Sequence, residues 1–120
     1  MEPLKLPDCP VETTLSLISN RWKVLIIRDL MDGKKRFSEL QHKIGTISQK
    51  VLTSNLRAME TQGLLTRTVF PEVPPRVEYE LTELGQSLRP VLNSLSAWGE
   101  YYQDYYQQQQ SKETQNSSNE

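Results

Sequence analysis

The chain has one cysteine and one histidine in 120 residues. A lone Cys9 excludes a disulfide within the chain. With His42 as the single imidazole, centres built from Cys and His are excluded too, so no metal and no cofactor are expected. No apolar run is long enough to span a bilayer. The opening MEPLKLPDCPVE lacks the basic-then-apolar order of a signal peptide. No membrane association is therefore expected, and the location read is the cytoplasm. Glycine is sparse, and neither a phosphate-cradling glycine loop nor a G-x-S-x-G elbow occurs. Glu78 and Glu80 stand two apart on one face of an expected strand, a face read as solvated. With His42 read as an exposed helical residue, nothing assembles a catalytic group, and no enzyme is expected.

Excess charge of one sign is also missing overall, since the formal net charge is −1. Its distribution is uneven. Residues 20–57 hold nine basic groups against three acidic ones, a local +6, while the segments on either side are all acidic. A basic stretch on a near-neutral chain points to a nucleic-acid surface where it coincides with a binding motif.

Periodicity gives the elements. Pro10 suits the first position of a helix carrying Val11, Leu15 and Ile18. RWKVLIIRDLM (21–31) is a second helix, with Trp22, Leu25, Ile26, Leu30 and Met31 inward and Gly33 as its stop. KKR is a short connector with room for one extended rung. FSELQHKI (37–44) is a third helix, followed by a tight turn at Gly45-Thr46. Ser48 caps a fourth helix, and Ile47 and Leu52 take the N′ and N4 places of a hydrophobic staple. Gly63 ends it. The period then falls from 3.6 to 2 over LLTRTVF (64–70) and VEYEL (77–81), which are strands joined by the stiff loop PEVPPR with Arg76 at its tip. Thr82 opens one long final helix with Leu84, Leu88, Val91, Leu92, Leu95 and Trp98 on its apolar side, weakened or kinked at Pro90. From Gln107 the stretch QQQQSKETQNSSNE has no apolar period.

The fold class is thus mainly α with a small β-hairpin (α+β), in winged helix-turn-helix order. Residues 1–8 are read as a flexible arm, 9–106 as the winged domain with its dimerisation helices, and 107–120 as a disordered tail. The fourth helix carries the function. Apart from its apolar stripe, its first turns hold Ser48, Gln49, Lys50, Thr53, Ser54 and Arg57, all hydrogen-bond donors and none acidic. A major groove admits one helix, whose early turns reach base edges. Gln suits adenine and Arg suits guanine, while Ser and Thr read bases or phosphates. Lys34, Arg36, Lys43 and Arg76 are placed as backbone contacts, Arg76 from the wing.

The stretches CPVETTLSLISNRWKVLIIRDL (9–30), RFSELQHKIGTISQKVLTSNLRAMETQGLL (36–65), YELTELGQSL (79–88) and SAWGEYY (96–102) resemble the HxlR family of bacterial winged-helix transcription regulators. The resemblance implies a homodimer on an inverted-repeat operator in double-stranded DNA, with the first and last helices as the dimer interface. Val11, Leu15, Leu95, Trp98, Tyr101, Tyr102 and Tyr105 are the residues it assigns there. The aromatic cluster, with Tyr106, points the same way independently, since aromatics are enriched in interfaces. The resemblance also makes Cys9 a candidate redox or electrophile sensor. A helix start favours a thiolate, whereas Asp8 and Glu12 oppose it; the other reading is a small, half-buried residue in the dimer seam. A small-molecule effector held between the winged domain and the dimer helices competes with the thiol switch. A winged helix serving only as a protein-interaction module competes with DNA binding itself.

Overall fold

The computed structural model describes residues 5–118, with side chains through Thr114. The elements run α1 (Pro10–Leu17), α2 (Arg21–Leu30), β1 (Lys35–Arg36), α3 (Phe37–Ile44), α4 (Gln49–Thr61), β2 (Leu65–Phe70), β3 (Arg76–Leu81), α5 (Glu83–Gln86) and α6 (Arg89–Ser118). They form two compact units, the first ending at Ser87 and the second starting at Leu88.

In the first unit, α2, α3 and α4 pack with a three-stranded antiparallel sheet of order β1-β3-β2. Ile26, Ile27 and Leu30 of α2, Leu40 of α3, Leu52, Leu56 and Met59 of α4, and Leu64 and Leu65 are all less than 2% exposed. Ile27 joins the expected stripe of α2, whereas Trp22, Leu25 and Met31 are half-buried. The KKR rung is real: Lys35 pairs with Tyr79 and Arg36 with Glu78. In the hairpin the register runs from Leu65 opposite Leu81 to Phe70 opposite Arg76.

Local chemistry sets the boundaries of α4. Ser48 Oγ accepts from the Val51 N–H at 3.2 Å. Ile47, before the cap, is 4% exposed and Leu52 is fully buried, as a staple requires. At the other end Gly63 takes φ +82°. The Leu64 N–H then reaches back to the Met59 carbonyl at 3.0 Å, closing a Schellman turn.

A buried amide fixes α4 against α2. Asn55 is 8% exposed. Its Nδ2 donates to the Val51 carbonyl at 2.8 Å, and its Oδ1 accepts from Asn20 Nδ2 at 3.1 Å. Asn20 in turn caps α2 by accepting from the Lys23 N–H at 3.0 Å. Asn55→Ala removes the bond that ties α4 to Asn20, whose exposed amide can turn to water instead, so a stability loss of about 0.5–1.5 kcal/mol is expected in urea unfolding.

Two sequence expectations are corrected at the C-terminal end. The helix read as continuous from Thr82 is two helices, broken at Ser87–Leu88. Pro90 lies in the first turn of α6, where its missing N–H would have no intrahelical partner, so the break precedes the proline instead of kinking the helix at it. The helix also does not stop near Gln107: α6 runs to Ser118. Gln, Lys and Glu are good helix formers, and no Gly or Pro interrupts them. Residues 119–120 of the expected tail and 1–4 of the expected arm lie outside the described residues. At the end of that arm, the Pro7 carbonyl accepts from the Thr13 hydroxyl at 3.1 Å.

The second unit is one helix that leaves large apolar surface uncovered. Leu95, Trp98, Tyr101, Tyr102, Tyr105 and Tyr106 are each about half exposed or more, with Trp98 at 64%. Trp98 stacks on Tyr102 with ring centroids 5.7 Å apart. In the first unit, Val11 and Leu15 of α1 are 66% and 54% exposed.

Candidate nucleic-acid interface

The apolar stripe of α4 turns Leu52, Leu56 and Met59 into the core, and its opposite side outward. Gln49, Lys50, Ser54 and Arg57 are exposed and Thr53 half-buried. These five line one shallow surface hollow. Among the described residues, none of the five side chains has a hydrogen-bond or ion-pair partner. Donors on a folded surface are usually satisfied by neighbours or water, so five adjacent uncommitted ones form a surface ready to meet acceptors. Ser48 stands at the same end; one lone pair of its oxygen serves the cap, which leaves its hydroxyl proton and a second lone pair facing outward.

The four basic residues assigned to the DNA backbone are not equivalent. Arg36 and Lys43 are exposed at the two ends of α3. Lys34 is exposed too, with its Nζ 3.6 Å from Glu78 Oε2. Arg76 does not sit at the tip of the wing. It is the first residue of β3, and its side chain is 28% exposed. Its guanidinium lies 4.1 Å above the Phe70 ring and 3.4 Å from both Glu72 Oε1 and Glu78 Oε1. Phe70 opposite Arg76 in the ladder explains this, since a cross-strand neighbour offers the guanidinium a ring face to cover. Glu78, read as solvated, is half-buried beneath these two cations. The exposed point of the loop is Val73.

Lys35 is also committed. Its Nζ donates to Asp32 Oδ1 at 3.1 Å. That hydrogen bond, the charge of Lys35 and, less strongly, Lys43 hold the Asp32 carboxyl below the usual carboxylate range.

One basic residue escapes the sequence reading. Arg67 of β2 borders a crevice shared with Gln49, Thr53 and Arg57 of α4. The signal for it is the period of 2. Leu65 and Arg67 fall on the same face of the strand, and Leu65 is buried; Arg67 also stands opposite the buried Tyr79. The side of the strand that faces the helices was therefore legible.

Cys9 is exposed and free, and occupies the N-cap of α1. Its thiol makes no capping bond; its carbonyl accepts from the Thr13 N–H at 3.0 Å and the Thr13 hydroxyl at 3.3 Å.

The profile of the HxlR-like helix-turn-helix family matches residues 17–107, which leaves Cys9, Val11 and Leu15 ahead of the matched stretch. The chain is 48% identical over 96 residues to the HTH-type transcriptional regulator YdeP of Bacillus subtilis (strain 168), covering 80% of this chain and 75% of that one. Among solved structures, the redox regulator HypR in its reduced form is similar with a TM-score of 0.78 and 41% identity, over 83% of this chain and 99% of that one. The reduced form of the transcriptional regulator YodB from B. subtilis is similar with a TM-score of 0.68 and 44% identity, over 77% and 91% of the two chains. With three helices, a wing and an uncommitted face on α4, the chain belongs to the HxlR-like helix-turn-helix family and is a transcriptional regulator of the winged-helix type.

Proposed function

We propose that this regulator binds double-stranded DNA as a homodimer on an inverted repeat. The observation that carries this reading is the set of five donors on α4 that have no partner among the described residues. In a major groove, Gln49, Lys50, Thr53, Ser54 and Arg57 meet base edges and nearby phosphates, and Ser48 adds its hydroxyl at the helix start. Arg36 and Lys43 flank the helix as phosphate contacts. Lys34 and Arg76 reach a phosphate by exchanging their carboxylate neighbours for it.

The uncovered apolar side chains support the dimer. Val11 and Leu15 on α1, and Leu95, Trp98, Tyr101, Tyr102 and Tyr105 on α6, are covered in this reading by a second copy. A twofold dimer sets its two reading helices about 34 Å apart, one turn of DNA. The basic contacts are tested by polarisation titrations of a random duplex pool at several salt concentrations. The expected log–log slope is about −0.9 per phosphate engaged. An interaction module would bind duplex no more tightly than salt-sensitive, non-specific levels, with no preferred sequence.

The exposed Cys9 favours a thiol switch as the regulation, in keeping with similarity to a protein described as a redox regulator. With one cysteine per chain, diamide either joins two Cys9 residues across a dimer or couples Cys9 to a small thiol. In each case two thiols lose two protons and two electrons, and diamide is reduced to the hydrazine. Cys9→Ser is expected to bind DNA like the parent while reduced and to stop responding to diamide. Weakened binding by the untreated variant would make Cys9 structural.

A further inference from the structure

The crevice beside α4 has two kinds of wall. It encloses about 390 Å³ within the first unit. Phe37 of α3 with Val77 and Tyr79 of β3 supply apolar surface, while Arg57, Arg67 and Glu60 stand on it as charged groups. Arg57, Arg67 and Glu60 are exposed, and none has an ion pair among the described residues. A phosphate contact needs the arginines but has no use for an apolar floor. A core that merely leaves a gap has no use for two unpaired arginines at its mouth. A volume of this size lies in the range of small-molecule sites, which combine apolar walls with a few charged groups that fix orientation.

From these features we propose that the crevice binds a small organic monoanion with a flat apolar body, of the aryl carboxylate class. The body lies against Phe37, Val77 and Tyr79. The carboxylate faces Arg57 and Arg67, whose planar forks match its two oxygens. Glu60 leaves the charged groups at a net +1, which suits one negative charge and disfavours a dianion. Because Arg57 also belongs to the base-reading face, the ligand and DNA compete for it. That last step rests on the DNA-binding function proposed above; the binding site itself does not.

The test titrates benzoate into the intact, DNA-free protein and follows amide shifts by NMR, with benzyl alcohol and inorganic phosphate as controls. Millimolar benzoate is expected to move the signals of Phe37, Arg57, Arg67 and Tyr79, with neither control matching it. Arg67→Gln, a change on an exposed strand position, is expected to weaken benzoate at least tenfold with unchanged thermal unfolding, and Arg67→Lys to lose less. Benzoate is also expected to weaken duplex binding by the parent protein more than by Arg67→Gln. No shifts with benzoate, equal shifts with phosphate, or full affinity in Arg67→Gln would overturn the site. Benzoate binding without any change in duplex affinity would overturn the competition. Benzoate binding by a protein that binds no duplex at all would support the site and refute the role given to Arg57.

Discussion

Gly85→Ala is expected to unfold most of the winged domain under conditions where the parent is stable. Gly85 lies in α5 and is buried. A Cβ there would be driven into the Leu64 carbonyl oxygen and would meet Leu81 Cδ2 at 3.0 Å. The carbonyl cannot retreat freely, because it accepts from the Thr82 N–H at 3.0 Å. Thr82 is held in turn: its hydroxyl donates to the Gly63 carbonyl at 2.6 Å and accepts from the Gly85 N–H at 3.1 Å. One methyl group therefore forces apart the junction where α4 ends, β2 starts and α5 begins. Overpacking against backbone of this kind costs about 3 kcal/mol, out of a total stability of roughly 5–15 kcal/mol. Urea unfolding measures it as a lowered midpoint. Glu83→Ala, at an exposed position two residues earlier in the same helix, serves as the comparison and is expected to change stability by less than about 1 kcal/mol. Equal midpoints for Gly85→Ala and the parent would show that α5 can shift away from Leu64.

Arg57→Ala is expected to lower affinity for the selected site by about 1–3 kcal/mol, roughly 5- to 150-fold, if its guanidinium spans a guanine edge. Arg57 is exposed and has no hydrogen-bond or ion-pair partner among the described residues, so urea stability should stay within about 0.5 kcal/mol of the parent. The same titration on unrelated duplex separates the roles of Arg57. A loss confined to the selected site makes it a base reader. An equal loss on both, with a salt slope shallower by about one, makes it a phosphate contact.

The parts of this fold that were legible in the sequence are those governed by short-range chemistry. Ser48 as cap and Ile47 with Leu52 as staple set the start of α4, and Gly63 sets its end, each within a few residues of the boundary it fixes, so no distant contact was needed to place it. The hairpin was legible for the same reason, through its change of period. What was not legible depends on how the folded elements meet or break. Asn55 sits between the core residues Leu52 and Leu56, and nothing local shows that Asn20 will meet it. Arg76 beside prolines reads as an exposed tip until the register sets it across from Phe70 and next to Glu78 on the same strand. The apolar run from Leu84 to Trp98 reads as one helix because the stripe continues through the break at Ser87–Leu88. The Gln-rich stretch misled in the other direction: absence of an apolar face argues against packing, but it does not argue against a helix.

Selection of genomic fragments by the purified, reduced protein tests the central claim most directly. The expected result is enrichment of one inverted repeat whose half-sites lie about one helical turn apart, 10–10.5 base pairs centre to centre, or a multiple of it. Replacement of Gln49 and Arg57 together should abolish that enrichment while leaving salt-sensitive binding to bulk DNA. Enrichment of no common sequence, or of a single half-site without symmetry, would contradict a dimer that reads DNA through α4.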